Sequence, residues 1–586
     1  MGELLSGADA TYQDGYRDQI KVGMQIAPGG DMPFGESINL YTGELSFLQP
    51  DVVVKGNGPS IVIARFNQLL ASSQVVAPLP FGTWNASIPR IELLVPTPGQ
   101  YAHQQGTVGG NWLAGGPTSY ERCSYFGSTY AAGLEWFTGM FLVDETGATH
   151  DMLTRDPAYP GTPSITVGGS AVAFPIVTTD NWQVGCLSQT ANASMGEAAQ
   201  AGEAFLAVSP DGTKYFFNYA YGSPALHYSE ADPSGGPSLR SGRMFARMYV
   251  TRIEDRFGNY LTYGYSSGKL QSITASDGRS VSLTWRSDSA VISTITVNAS
   301  DAPARVWQYA YTSISTSGAT LSTVTLPDSS QWSFTNVPTT GGYNVEAYDS
   351  VGAPWTTCGA TTGTPVNTAS GTATITNPAG LTGTFTIKDF VHARSYVPGM
   401  CVNWMVGTPP YQSIPAIFGS VVVTNRSIAG PGVPSQSWTY AYSAPNGSFT
   451  SSPCAATNTC PDTATVTITE PSGDKTVHTY STRWGAHEGK LLQTQTYQGA
   501  STLLRTVVNT YAAANTGPWP ARVGDGLTGD RTNIDKLETW TPTLRTDTTQ
   551  QGRTFTWRVP SVCGAGSAYC FDTFARPTQV VKSSAP

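Results

Sequence analysis

One pentapeptide has the form of a nucleophile motif. Gly264-Tyr-Ser-Ser-Gly268 matches Gly-x-Ser-x-Gly, in which the central serine of a hydrolase attacks an ester or amide carbonyl. That chemistry needs a sharp turn between a strand and a helix, which presents the serine hydroxyl to a histidine base. The residues that follow, Lys269-Leu-Gln-Ser-Ile-Thr, alternate as a strand does. The sequence therefore predicts a hairpin turn around Ser266 and no catalytic serine.

The other residue types that carry chemistry show no pattern that a reaction or a metal ion needs. The histidines lack metal-ligand spacing, and no Cys-x2-Cys pair occurs. Carboxylates are numerous enough to include a glycosidase-like acid/base pair, but the sequence singles out none. The sequence therefore predicts no catalytic residue, no metal ligand and no cofactor. The six histidines are His103, His150, His227, His392, His478 and His487.

The eight cysteines fall as neighbours along the chain. Their even number and their position in loops favour disulfide bonds and an oxidising compartment, whereas their spacing does not suit zinc. The rings that they would close contribute roughly 2–4 kcal/mol each in a chain-entropy estimate. The predicted pairs are Cys123 with Cys186, Cys358 with Cys401, Cys454 with Cys460, and Cys563 with Cys570.

Composition indicates a large all-β protein. The 586 residues include 62 Gly and 40 Pro, and only 12% are charged, which is typical of many short strands joined by turns. The net charge of −8 and the lack of a basic stripe give nucleic-acid binding no electrostatic basis. No apolar run is long enough to span a membrane, and no secretory leader is visible. We expect a secreted or cell-surface protein whose leader has been removed; synthesis for the cytoplasm is the alternative.

A hairpin-like unit recurs along the chain. It consists of alternating apolar residues or threonines, a turn of Pro, Asp, Ser or Gly, and a second alternating stretch that ends on an aromatic residue. Three of its starts, Ile273, Val324 and Ile375, are 51 residues apart, which fits about four strands per period. The unit also occurs at Val208 and Ile468. This regularity predicts consecutive β-hairpins.

Pairs of tyrosines at positions i and i+2 close several of these strands, and both rings of a pair lie on one face. We interpret them as a stripe of core residues that stack across neighbouring hairpins; an aromatic platform that binds sugars is the alternative. The pairs are Tyr219/Tyr221, Tyr263/Tyr265, Tyr309/Tyr311 and Tyr440/Tyr442.

One stretch resembles the YD repeat of bacterial RHS proteins. It is Asp255-Arg-Phe-Gly-Asn-Tyr-Leu-Thr-Tyr-Gly-Tyr, followed by Gly268-Lys-Leu and the turn Asp277-Gly-Arg. Asn39-Leu-Tyr-Thr-Gly-Glu-Leu is similar to the start of an RHS region, and Phe574-Ala-Arg-Pro-Thr-Gln-Val-Val is similar to a further repeat. The resemblance covers about residues 38–586, and it is specific around 255–285.

The resemblance implies a ribbon of β-hairpins that spirals into a hollow shell, which in relatives encloses a C-terminal toxin or belongs to an insecticidal toxin complex. Such shells usually end in a pair of autoproteolytic Asp-Pro-x-Gly motifs. Here only Asp232-Pro-Ser-Gly235 matches, far too early in the chain, and we interpret it as a turn. The sequence therefore departs from the family at the expected cleavage site.

These observations predict an all-β fold in which consecutive β-hairpins form one long curved sheet, spiralling as an RHS/YD-repeat shell. We expect an extended segment or plug at 1–37, a divergent β region at 38–245, and a YD-repeat shell at 246–586 that continues beyond the end of this chain. The expected function is non-catalytic: enclosure of a toxin cargo or of the remainder of the same protein, or contact with other cells or surface glycans. A secreted carbohydrate-binding protein is the alternative, and a polysaccharide-acting enzyme is a weaker one.

Overall fold

The computed structural model confirms the all-β prediction. About 60% of the chain is strand and 1% is helix. The one helix of the described residues, α1, is a single turn at Pro453–Ala456. The structure describes residues 32–68, 79–96, 122–124, 140–188, 202–230, 239–299, 302–315, 318–335, 347–349, 363–365, 370–398, 401–402, 411–412, 416–485, 487–526, 537–563 and 569–585.

The strands are numbered in chain order. The first fourteen are β1 (Glu36–Ile38), β2 (Leu45–Val54), β3 (Ile61–Gln68), β4 (Asn85–Ala86), β5 (Arg90–Pro96), β6 (Met140–Val143), β7 (Thr149–Asp151), β8 (Leu153–Arg155), β9 (Ser164–Val167), β10 (Ser170–Ala173), β11 (Ile176–Val177), β12 (Gln183–Leu187), β13 (Ala204–Val208) and β14 (Lys214–Glu230). The next fourteen are β15 (Leu239–Glu254), β16 (Tyr260–Ser266), β17 (Lys269–Ala275), β18 (Ser280–Trp285), β19 (Ile292–Ala299), β20 (Ala302–Ser315), β21 (Gly318–Thr325), β22 (Gln331–Thr335), β23 (Ala347–Asp349), β24 (Gly363–Pro365), β25 (Ser370–Thr376), β26 (Thr382–Ala393), β27 (Cys401–Val402) and β28 (Tyr411–Gln412). The last eleven are β29 (Ile417–Gly430), β30 (Val433–Tyr442), β31 (Thr463–Thr469), β32 (Lys475–Ser481), β33 (Leu491–Gln498), β34 (Thr502–Tyr511), β35 (Gly524–Gly526), β36 (Leu537–Glu538), β37 (Thr543–Gln550), β38 (Arg553–Arg558) and β39 (Val581–Ala585).

One antiparallel sheet contains most of these strands. Chain order and spatial order coincide from β11 to β22, and the ladder continues through β25, β26, β29 to β34 and β37 to β39. Strand β35, which lies between β34 and β37 in the chain, reaches back to an early part of the sheet: it pairs with β8, and the Arg522 guanidinium lies 2.6 Å from the Asp156 carboxylate. The prediction of consecutive hairpins in a single long curved sheet is therefore confirmed.

The turn between β17 and β18 shows how the sequence sets these hairpins. The Ala275 amide donates to the Arg279 carbonyl, the Gly278 amide donates to the Ala275 carbonyl, and Gly278 has a φ of +91°. A left-handed φ of this kind is accessible to glycine at little cost. Asp-Gly sequences therefore fix both the place of the turn and the register of the two strands.

A second, four-stranded sheet, β1 to β4, packs on one face of the long sheet. Phe47 of β2 contacts Phe385 at 5.1 Å between ring centroids, and Trp84 contacts Phe334 at the same distance. We name this side of the long sheet the core face. The predicted segment 1–37 lies mostly outside the described residues and stays a prediction, and strands β1 to β4 lie over this face.

Three of the four tyrosine pairs lie in the core, as predicted, whereas Tyr219 and Tyr221 are half-buried and lie outside the main hydrophobic cluster. Tyr263, Tyr309 and Tyr440 are buried in the main hydrophobic cluster. The second tyrosine of three pairs donates a hydrogen bond to a backbone carbonyl on an earlier strand: Tyr265 to Val250, Tyr311 to Ile292 and Tyr442 to Val423. Each ring therefore fills the core while its hydroxyl remains hydrogen-bonded, which is what a buried tyrosine requires. Among the described residues, no helix has the length and apolar composition that a membrane crossing needs.

Candidate functional site

The turn Asn39–Leu45 docks the small sheet on the long one. The Asn39 side chain accepts hydrogen bonds from the backbone of Tyr41 and Thr42, and Gly43 adopts a φ of +73°. A Cβ atom on Gly43 would lie 2.4 Å from Val422 Cγ1. The Val423 amide donates to the Gly43 carbonyl at 2.9 Å. Glycine is thus required at position 43 of the Leu-Tyr-Thr-Gly-Glu sequence, because a side chain there would collide with β29.

The loop between β2 and β3 docks on the YD-like stretch. Arg279 donates to the carbonyls of Val54 and Pro59 at 2.6 and 3.0 Å, and the Asp277 carboxylate accepts from the Asn57 amide at 3.1 Å. A Cβ on Gly58 would lie 2.5 Å from Asn259 Cβ. The Asp-Gly-Arg turn therefore contacts the N-terminal sheet in addition to shaping its own hairpin.

Buried charges join the two sheets. Arg65 on β3 forms a bidentate pair with Asp51 at 2.6 and 2.8 Å, and Tyr309 of the long sheet donates to the same carboxylate at 2.8 Å. Both side chains of the pair are almost fully buried. A second pair links Glu36 of β1 to Arg426 of β29 at 2.6 Å, and burial raises the pKa of Glu36 although Arg426 opposes the change. These contacts fix the position of the small sheet on the core face.

The core face continues beyond the part that the small sheet covers. Residues directly opposite each other in antiparallel strands point to the same face, so the register can be followed across the sheet. One row begins at the buried Tyr440 and runs through Tyr440, Ile468, Thr476, Thr496, Arg505, Gln550 and Arg553. The next row runs through Tyr442, Val466, His478, Thr494, Val507, Thr548, Phe555 and Ser584. A third runs through Asn509, Thr546, Trp557 and Lys582.

Along these rows the side chains change from apolar and buried to polar and exposed. Val466 is buried, Thr494 is half-buried, and Phe555 has 49% of its surface exposed. We name the part on β32 to β39 the uncovered face: Thr476, His478, Thr494, Thr496, Arg505, Val507, Asn509, Thr546, Thr548, Gln550, Arg553, Phe555, Trp557, Lys582 and Ser584. None of these fifteen side chains is buried, so this part of the core face lacks a packed second layer.

The hydrolase-like motif lies in a hairpin turn, as the sequence predicts. Ser266 ends β16 and pairs with Lys269 across Ser267 and Gly268, which have φ values of +49° and +72°. No hydrogen bond joins Ser266 to a histidine or a carboxylate in the described part of the chain, so its hydroxyl lacks the base that would activate it. Asp232-Pro-Ser-Gly235 lies outside the described residues.

The described histidines have structural surroundings. His150 lies between Asp180 and Asp144, at 2.6 and 3.2 Å. Although burial lowers the pKa of His150, these carboxylates raise it to about 9, so the ring is charged and cannot act as a base at neutral pH. Burial lowers the pKa of His392 to about 4, and its ring is hydrogen-bonded to Ser420, which donates to the Thr42 carbonyl. His392 therefore belongs to the contact between the two sheets.

Two of the predicted disulfides are present. Cys123 is bonded to Cys186 and Cys454 to Cys460. The predicted bond between Cys563 and Cys570 is absent: these are two thiols in contact, and Cys570 donates to the Val562 carbonyl at 3.3 Å. Burial and the neighbouring thiol raise the pKa of Cys570 to about 11, so this thiol is protonated at neutral pH. The pair Cys358 with Cys401 lies outside the described side chains.

The two disulfides should differ in their effect on stability. The Cys123–Cys186 bond spans 63 residues and the Cys454–Cys460 bond spans six, so the first restricts the unfolded chain more. We expect the double serine variant of the long-range pair to lose about 4 kcal/mol in the free energy of unfolding, and that of the short-range pair about 2 kcal/mol. Urea titrations of both variants beside the parent protein measure this. Equal losses would contradict the loop-entropy explanation.

Sequence reasoning missed the buried ion pairs. Asp51 and Arg65 lie in strands whose alternation predicts the face of the sheet on which each side chain lies, but not its partner. Asp51 directly follows Pro50, and the register shift between Pro50 and Val52 removes Asp51 from the regular ladder. The one available signal was a charge within the apolar runs around Val52 and Ile63.

No family model matches the chain, and no curated protein matches it. It is similar to the solved structure of TcdB2-TccC3, with 7% identity, 96% of this chain and 45% of that chain covered, and a TM-score of 0.47. TcdB2-TccC3 without its hypervariable C-terminal region gives 8% identity, with 96% of this chain and 44% of that chain covered and a TM-score of 0.42. The Tc holotoxin pore of Photorhabdus luminescens gives 9% identity, with 97% of this chain and 27% of that chain covered and a TM-score of 0.28. The chain spans less than half the length of each.

Proposed function

We propose that this chain is a structural β-shell that encloses a polypeptide cargo such as a toxin. The observation that supports this most is the uncovered face: the rows that start in the packed core at Tyr440 and Tyr442 end on half-exposed and exposed side chains while remaining on the same side of a curved sheet. A curved sheet whose core face is only partly filled provides an inner surface for a guest. The sequence resemblance to YD repeats supports the same function.

We also propose that the chain is not an enzyme. The motif that most resembles a catalytic site, around Ser266, lies in a turn without a base, and the described histidines are held in structural contacts. The sugar-platform alternative loses support because three of the four tyrosine pairs pack in the core, with one hydroxyl of each pair hydrogen-bonded to backbone. The two disulfides favour a secreted or cell-surface location in an oxidising environment. The division at residues 37 and 245 stays a prediction.

Photo-crosslinking from neighbouring positions tests enclosure of a polypeptide. Thr494 lies on the uncovered face, and Gln495 follows it on the opposite face of β33. We expect a benzophenone amino acid at Thr494 in the full-length protein to crosslink a polypeptide outside residues 1–586, and the same group at Gln495 to give far less. Mass spectrometry identifies the crosslinked peptides. Crosslinks from Thr494 that stay within residues 1–586 would contradict the proposal.

A further inference from the structure

The uncovered face carries positive charge without a compensating carboxylate. Arg505, Arg553 and Lys582 are all exposed, and none forms an ion pair among the described residues. The other eleven non-histidine members of this face are threonine, serine, asparagine, glutamine or apolar residues. Burial lowers the pKa of His478, which keeps its ring neutral at neutral pH. The only formal charges on this face are therefore three cations.

This pattern differs from the rest of the chain. The protein has a net charge of −8, with 40 acidic and 32 basic side chains. On the opposite face of the same strands, Arg545 pairs with Asp547 at 2.7 Å, and Asp547 accepts a hydrogen bond from Thr556. A surface with interspersed signs is what solubility favours, so three unpaired cations on one face indicate a ligand of opposite charge.

The register places the cations around an aromatic centre. Arg505 and Arg553 are separated only by Gln550 in one row, and Lys582 is directly opposite Trp557. Phe555 lies on β38 between Arg553 and Trp557 and exposes 49% of its surface. Guanidinium groups bind carboxylates through paired hydrogen bonds, and the aromatic rings and hydroxyls suit the apolar and amide groups of a peptide. Nucleic acid fits less well, because the protein as a whole would repel it.

We infer that the uncovered face binds an acidic polypeptide segment through Arg505, Arg553 and Lys582. The inference rests on the proposed function and adds the charge of the enclosed segment that contacts this face. Exposed ion pairs are individually weak, so removal of both arginines should weaken the contact about tenfold. The aromatic contacts of Phe555 and Trp557 would remain.

The test uses a benzophenone amino acid at Thr548, which lies between the rows of Arg505 and Trp557. We expect the crosslinked segments to carry net negative charge, and their yield to fall about tenfold in the Arg505→Gln/Arg553→Gln variant. Arg558→Gln is the matched control, because Arg558 is exposed on the opposite face of the same strand as Arg553 and should leave the yield unchanged.

The outcomes separate this inference from the proposed function. Crosslinks to neutral or basic segments, or an unchanged yield in the double variant, would overturn the acidic-segment inference and leave enclosure intact. Crosslinks that reach no polypeptide outside residues 1–586 would overturn both. Thermal unfolding of the double variant should match that of the parent protein, because both arginines are exposed and unpaired.

Discussion

Asp51→Ala should lower the free energy of unfolding by about 3–5 kcal/mol. The substitution leaves the Arg65 guanidinium charged in a site where its side chain is 0% exposed, and it also removes the acceptor of the Tyr309 hydroxyl. An uncompensated buried charge costs more than the pair contributes, because water cannot replace the lost partner. Urea unfolding measures the loss, and hydrogen exchange should show faster exchange in β2 and β3.

Two variants make this result specific. Asp51→Ala combined with Arg65→Met should recover most of the loss, since both charges are then absent and the site becomes apolar. Asp288→Ala breaks the exposed pair with Arg286 and should cost far less than Asp51→Ala, because water screens the exposed charges. If Asp51→Ala were as mild as Asp288→Ala, the ion pair would not be what holds the small sheet in place.

Acid should weaken the contact between the two sheets through His392. Its pKa is about 4 in the folded protein because the ring is buried, against about 6.5 in an unfolded chain. Below pH 6.5 the unfolded state therefore binds more protons, so stability falls as the pH decreases from about 6.5 to 4 and this loss is complete below 4. The shift corresponds to about 3 kcal/mol over that range.

The His392→Gln variant isolates this contribution. Glutamine can still hydrogen-bond to Ser420 but does not titrate, while the carboxylates and Tyr442, which contacts residue 392, are the same in both proteins. The parent protein should therefore lose stability relative to the His392→Gln variant as the pH falls from 6.5 to 4. A difference that stays constant across this range would show that His392 is not buried in its neutral form.

The hairpins were predictable from sequence because their determinants are local. Alternation with a period of two fixes which side chains share a face, and Asp277-Gly278 fixes a turn and hence a register. The tyrosine pairs were predictable for the same reason: Tyr263 and Tyr265 must lie on one face, and rings of that size are usually buried. These signals are contained within a few neighbouring residues.

The position of the small sheet was not predictable, because it depends on contacts between distant residues. Glu36 meets Arg426, and Asn57 meets Asp277, across hundreds of residues of chain. Local patterns carry no information on which face of the long sheet is covered. For the same reason the uncovered face emerged only when the register could be followed from Tyr440 to Arg553.

The cysteines include one pair whose state the sequence predicts and one pair whose state it does not. Cys454 and Cys460 are close in sequence and are bonded, as their spacing predicts. Cys563 and Cys570 have a similar spacing and lie in contact, but they are not bonded, and the buried Cys570 thiol donates to the Val562 carbonyl. Spacing therefore predicts that two cysteines lie close together, but not that they are bonded.

Thiol labelling with reagents of two sizes tests enclosure most directly. Thr494→Cys and Gln495→Cys are made in full-length protein in which Cys563 and Cys570 are serine, and each is exposed to a small maleimide and to one carrying a large polyethylene glycol. We predict that the small reagent labels both positions, whereas the large one labels Gln495→Cys alone, because Thr494 faces an enclosed space. Equal labelling of both positions by the large reagent would contradict a cargo-enclosing shell.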